Sequence, residues 1–128
     1  MEIAGLTDGT FVHTVIRKRP QDVHKGDCGK VLIVAGSKGM AGAAVFSAKS
    51  AIKCGSGLVK ICTDKKIFPV IQISVPESIC ISWGRAKEEL AQYDAVAVGP
   101  GMGVGRRTKR ILKKILKEYE KTVVIDAD

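Results

Sequence analysis

Five short apolar runs limit what this chain can fold into. They are residues 31–35 (VLIVA), 58–62 (LVKIC), 78–83 (SICISW), 95–99 (AVAVG) and 122–126 (TVVID). The first is apolar at every position, as expected for a strand covered on both faces. Between the runs lie segments of helical character. Residues 40–54 are rich in small side chains and are closed by Gly55 and Gly57. Residues 64–74 read as a helix with a kink near Pro69, although VIQISV leaves a strand open there. Residues 85–92 and 106–120 complete the set. Strand–helix alternation with β-branched strands predicts an α/β fold, a mainly parallel sheet with helices on both faces and right-handed crossovers. Residues 1–30 are polar and broken by glycines and Pro20, and read as an N-terminal arm, either extended or a short helix followed by loop. Residues 31–128 form the single α/β domain, and a length of 128 residues suits one domain.

Net charge is +8, which raises nucleic acid, an acidic partner or an anionic small ligand as possible counterparts. The charge is concentrated. Residues 106–121 (RRTKRILKKILKEYEK) hold eight basic and two acidic residues, so six of the eight net charges sit there. Ile111, Leu112, Ile115, Leu116 and Tyr119 recur at helical spacing within it, which reads as an amphipathic helix with Lys and Arg in water. No aromatic residue is interleaved with the basic residues 106–118, so stacking platforms for single strands are not visible and no nucleic-acid partner is expected. None of the four cysteines forms a C-x-x-C pair, and free thiols in a reducing compartment are the economical reading. There is no leader-like apolar stretch of about 7–15 residues at the N-terminus and no run near the roughly 20 residues that span a bilayer. A cytoplasmic protein with no membrane partner is expected.

Two glycine-rich turns fall after strands, where ligands bind in open α/β sheets. The first, residues 35–44 (AGSKGMAGAA), carries Gly36, Gly39 and Gly42. Glycine permits positive φ and close backbone approach, and the helix that follows offers unpaired N–H groups to phosphate, with Lys38 adding a charge. The second, residues 98–105 (VGPGMGVG), alternates Gly99, Gly101, Gly103 and Gly105 with larger residues. The spacing is neither G-x-G-x-x-G nor a P-loop. A single turn of this kind is more often a tight turn than a site, whereas two at the ends of two strands favour a phosphate-bearing ligand. Ala48 and Ala51 let the first helix pack close to the sheet, while Ala43 and Ala44 could make room for a ligand. Asp126 and Asp128 stand at the fifth strand's carboxyl end, where a carboxylate meets either ligand or Mg²⁺-bound water, or caps a following helix. His24, Lys25 and Asp27 in HKGDCG form either a polar site or a structural turn. No Ser/His/Asp or Cys/His nucleophile arrangement is readable.

Residues 17–63 (RKRPQDVHKGDCGKVLIVAGSKGMAGAAVFSAKSAIKCGSGLVKICT) resemble the opening of the ADP- or ATP-dependent NAD(P)H-hydrate dehydratases of the ribokinase-like superfamily. The matching residues are His24-Lys25-Gly26-Asp27, Gly29, Gly36-Ser37, residues 39–44 and residues 55–59, followed by residues 98–103 (VGPGMG) and 124–128 (VIDAD). The resemblance runs from about Arg17 to Asp128. It implies repair of hydrated NADH and NADPH, with a nucleotide phosphorylating the ring hydroxyl and phosphate then eliminated to restore the double bond. ADP or ATP with Mg²⁺ would be the cofactors. Gly39, Ala43, Ala44, Gly101, Met102, Gly103, Asp126 and Asp128 would line the hydrated-cofactor pocket.

The family continues past its Asp-Ala-Asp with segments that carry the nucleotide contacts and the catalytic aspartate, and this sequence lacks them. The expectation is therefore a ribokinase-like sheet truncated after about five strands, inactive alone, with no catalytic residue of its own. It would work with a complementary C-terminal fragment or as a homo-oligomer. Two other readings remain: a fragment of a ribokinase-like small-molecule kinase, such as a vitamin-precursor kinase, and a non-catalytic nucleotide-binding or interaction module.

Overall fold

The structure, a computed structural model, describes residues 8–15 and 22–126. After a short helix α1 (Gly9–Val15) and a 3-10 turn (Lys25–Cys28), the chain alternates between strands and helices. These are β1 (Lys30–Val34), α2 (Ala41–Lys53), β2 (Leu58–Cys62), a 3-10 turn (Lys65–Ile67), α3 (Phe68–Ser74), β3 (Ile79–Ile81), α4 (Trp83–Glu88), a 3-10 turn (Leu90–Gln92), β4 (Ala95–Val98), α5 (Arg106–Glu118) and β5 (Thr122–Ile125). The strands form one sheet in the order β3-β2-β1-β4-β5, every pair parallel. This is the α/β architecture that the apolar runs predict. β1 is central: Leu32 pairs with both Lys60 and Val96, and Val34 with Cys62 and Val98.

Alternation along the strands divides the core in two. Leu32, Val34, Cys62, Val96 and Val98 face Ala86, Leu90, Ile111 and Ile115, so α4 and α5 cover that side. Ile33, Ala35, Val59 and Ile61 face Ala44, Val45, Ala48, Ile71 and Val75, so α2 and α3 cover the other. Ala44 and Ala48 lie one helical turn apart with no exposed surface, which lets α2 lie close to the sheet. At the far edge β5 is less covered, with Val124 61% and Ile125 52% exposed. No helix among the described residues is long and apolar enough to cross a membrane.

Several expected boundaries move for physical reasons. Pro69 does not kink a helix; it sits in the first turn of α3, where its missing N–H costs nothing, and Asp64 caps the preceding 3-10 turn by accepting from the Lys66 N–H at 3.0 Å. VIQISV therefore contributes to a helix, and its strand alternative is not adopted. The third strand shortens to Ile79–Ile81 because Trp83 already begins α4. The basic helix ends at Glu118. Tyr119 leaves the helical conformation yet stays buried, its hydroxyl donating to the Tyr93 carbonyl at 3.1 Å, while Leu116 of the expected apolar stripe is 54% exposed.

HKGDCG is a turn at the amino end of the sheet, opposite the glycine-rich loops. The Gly26 N–H donates to His24 Nδ1 at 3.1 Å, and the Gly57 N–H donates to the Cys28 and Gly29 carbonyls, each at 3.0 Å. A Cβ on Gly57 would lie 1.7 Å from the Lys25 carbonyl oxygen. Gly57→Ala should thus force the turn off β2 and destabilise the chain by about 1–3 kcal/mol, measured as a lower urea midpoint. An unchanged midpoint would show that the turn shifts freely.

Glu89 ties three elements together. Arg85 donates to it at 2.8 Å, the Tyr93 hydroxyl donates at 3.1 Å, and Lys60 of β2 forms an ion pair with it. The Arg85 hydrogen bond first, then that of Lys60, lowers the Glu89 carboxyl from 4.5 to about 2. A folded-state pKa below the unfolded one contributes stability above the unfolded value, and that stability is lost as pH falls through the folded value. Glu89→Gln should therefore flatten the fall in stability between about pH 4.5 and pH 2, read from urea midpoints across that window.

Candidate functional site at two crossed glycine loops

The strand order reverses between β1 and β4: the chain steps from β1 to β2 and β3 on one side, then crosses to β4 and β5 on the other. Loops leaving the carboxyl ends of two strands at such a point diverge and bound a crevice. Here they are residues 35–40 and 99–105, and they are tied to each other. The Gly36 N–H donates to the Pro100 carbonyl at 2.8 Å, and the Ser37 hydroxyl donates to the Gly101 carbonyl at 2.8 Å. Behind them the Thr63 hydroxyl donates to the Gly36 carbonyl at 3.2 Å, which links the end of β2 to the same loop.

The glycines divide into two groups by what surrounds them. Gly101 has φ +65°, and a Cβ there would lie 2.7 Å from the Ala43 Cβ; Gly99 has φ +128°, and its Cβ would lie 2.9 Å from the Asp126 Cβ. Contact between the loops and α2 and β5 requires glycine at both. Gly39, with φ +86°, and Gly42 have no heavy atom within 4 Å of a built Cβ beyond their own chain neighbours, and Gly103 meets only the Met40 methyl at 3.7 Å. Space stands open over Gly39 and Gly42.

Every residue expected at the site except Asp128 has a definite place. Gly39 is exposed on the first loop. Ala43, half-buried, packs under Gly101, and Met102 and Gly103 are half-buried on the second loop. Asp126 is exposed at the end of β5, its N–H donating to the Val98 carbonyl at 2.9 Å and its Cβ facing Gly99. Ala44 is fully buried in the core on the α2 side, with its methyl toward Gly36. Asp128 lies outside the described residues. The crossed loops thus gather Ala43, Gly101, Met102 and Gly103, with Asp126 behind Gly99.

Sequence reasoning missed a small recess of about 70 Å³ on the α5 side of the crossing. Ser37, Thr63, Asp64, Met102, Arg107 and Thr108 contribute to its walls. The signal was present as Thr63-Asp64 directly after β2 and Arg107-Thr108 directly after the second glycine loop. Cys62 also borders it, and burial pushes that thiol up to about 12, only partly offset by Arg107, so it stays protonated and is no nucleophile at neutral pH. Among the described residues no group of three or more His, Cys, Asp or Glu could hold a metal ion.

Comparison with known proteins agrees with this fold. A family model described as NAD(P)H-hydrate dehydratase matches residues 31–128. An ADP-dependent (S)-NAD(P)H-hydrate dehydratase of Listeria monocytogenes is 36% identical across 88% of this chain and 43% of its own. The crystal structure of an ADP/ATP-dependent NAD(P)H-hydrate dehydratase from Bacillus subtilis, co-crystallised with ATP and Mg²⁺, superposes with a TM-score of 0.80 at 30% identity, over 92% of this chain and 44% of that one. A ribokinase-like superfamily protein of Enterococcus faecalis gives a TM-score of 0.79 at 27% identity, over 86% of this chain and 40% of that one. The chain thus spans less than half the length of each of these proteins. The sheet order, the paired glycine loops and the match over residues 31–128 lead to one conclusion: the chain belongs to the NAD(P)H-hydrate dehydratase family, with a ribokinase-like fold.

Proposed function

We propose that this chain forms the substrate-side wall of a nucleotide-dependent NAD(P)H-hydrate dehydratase and that its ligand is hydrated NADH or NADPH. One observation carries this reading: two glycine loops are locked together at the strand reversal, with open space left over Gly39 and Gly42. Gly39, Ala43, Gly101, Met102, Gly103 and Asp126 would line that space, with Ala44 as packing beneath them; Asp128 is assigned to it from the sequence alone. In this role the chain binds and orients. The backbone of both loops approaches the ligand without side chains in the way, and the ring hydroxyl is presented outward to a phosphoryl donor.

ADP or ATP with Mg²⁺ would supply the phosphoryl group and charge neutralisation in the repair reaction. The chain spans less than half the length of the dehydratases it resembles, and in this reading the 128 residues alone would not complete the dehydration. Further chain, or a second copy, would complete the sheet at β5, and the exposure of Val124 and Ile125 there supports that reading. Four free cysteines fit a reducing compartment, the cytoplasm.

The test has two parts. Purified chain incubated with hydrated NADH, ADP or ATP, and Mg²⁺ should return no NADH absorbance; sustained turnover would refute the division of labour. Calorimetry should nevertheless show hydrated NADH binding. Gly42→Leu, at a helical position with open space, should weaken that binding about tenfold or more while leaving the thermal midpoint unchanged. Binding of a vitamin precursor in place of hydrated NADH would instead favour a small-molecule kinase of the same superfamily.

A further inference from the structure

The recess beside the loop crossing holds an unusual pair of groups. Asp64 is the one carboxylate and Arg107 the one cation among its lining residues. The lining hydroxyls already donate within the protein, Ser37 to the Gly101 carbonyl at 2.8 Å, Thr63 to the Gly36 carbonyl at 3.2 Å and Thr108 to the Met102 carbonyl at 3.5 Å. Asp64 is different. Its Oδ1 accepts from the Lys66 N–H at 3.0 Å, and its Oδ2 has no partner among the described residues. Asp64 is half-buried and follows β2 by two residues, on the strand that neighbours β1.

That placement has a chemical meaning. In an open parallel sheet of order 3-2-1-4-5, a glycine loop after the first strand takes the diphosphate of a dinucleotide, and an acidic residue at the end of the second strand accepts a hydrogen bond from the ribose 2′-hydroxyl. This chain has the strand order, the loop and the carboxylate in those places, although its glycine spacing differs. A recess of about 70 Å³ admits a few water-sized groups rather than a base. The geometry points to a ribose-diol subsite, in which Asp64 Oδ2 accepts from the 2′-hydroxyl of a dinucleotide ribose while Arg107 faces the adjoining diphosphate. A carboxylate there welcomes a hydroxyl and repels a 2′-phosphate. The subsite therefore selects hydrated NADH over hydrated NADPH. The identity of the ligand rests on the functional reading above; the placement of the ribose does not.

The experiment is a calorimetric comparison of both hydrated cofactors on the full 128-residue chain, on Asp64→Asn and on Arg107→Gln. AMP and 2′-deoxy-AMP serve as further probes. The wild-type chain should prefer hydrated NADH by about tenfold, in keeping with one hydrogen bond to a charged group. Asp64→Asn keeps an oxygen for the Lys66 N–H and should reduce that preference to less than about threefold. Arg107→Gln should weaken both cofactors to the same degree. Equal affinity for the two hydrated cofactors in the wild type, or an unchanged preference in Asp64→Asn, overturns the ribose subsite. If binding then still falls in Gly42→Leu, the functional reading survives. If neither hydrated cofactor binds while AMP outcompetes 2′-deoxy-AMP in an Asp64-dependent way, the subsite stands and the functional reading falls. Binding of none of the four overturns both.

Discussion

A hydrogen bond between two loops holds the carboxyl edge of this sheet together. The Gly36 N–H meets the Pro100 carbonyl at 2.8 Å, and the Ser37 hydroxyl meets the Gly101 carbonyl at the same distance. Backbones at this separation leave no room for a side chain at Gly101, where a Cβ would press on Ala43. The bond joins what β1 and β4 present, and those are the central strands on which both core layers are built. It also connects outward, to β2 through the Thr63 hydroxyl and to β5 through the Asp126 N–H on the Val98 carbonyl. Four of the five strand ends are thus set relative to one another by contacts within a few residues of the crossing.

This changes how the glycines are understood. Positive φ and close approach explain Gly36, Gly99 and Gly101 without any ligand. Positive φ also accounts for Gly39 and Gly103, whereas Gly42 has neither a positive φ nor a close neighbour. The first set builds a rigid platform, and the open space over Gly39 and Gly42 leaves it uncovered. A binding surface preorganised in this way loses little conformational freedom when ligand arrives.

Much of the fold was legible because β1 is apolar at every position, as a doubly covered strand is, and because short β-branched runs alternate with helical segments. β2 was readable to the residue, and Ala48 as a close-packing position. Boundaries were less legible where tertiary contacts decide them. Tyr119 continues the apolar spacing of α5 but leaves the helix to reach the Tyr93 carbonyl. Pro69 reads as a kink, whereas it stands in the first turn of α3, after the 3-10 turn that Asp64 caps. At the site, the sequence pointed to both loops but could not tell that Ala44 turns into the core while Ala43 lies under Gly101. Nor could it place Asp64 and Arg107 in one recess, because they come from different sides of the strand reversal and are brought together by the order β2-β1-β4.

The central claim is that ligand lies on the platform made by the two crossed loops rather than on the basic face of α5, where Arg110, Lys113 and Lys117 line a separate groove with Trp83. Backbone amide shifts of the isotopically labelled chain, followed during titration with hydrated NADH, test this most directly. The account predicts that the largest changes fall on residues 36–43 and 99–105. Changes concentrated on Trp83, Arg110, Lys113 and Lys117, with the loops unmoved, would contradict it.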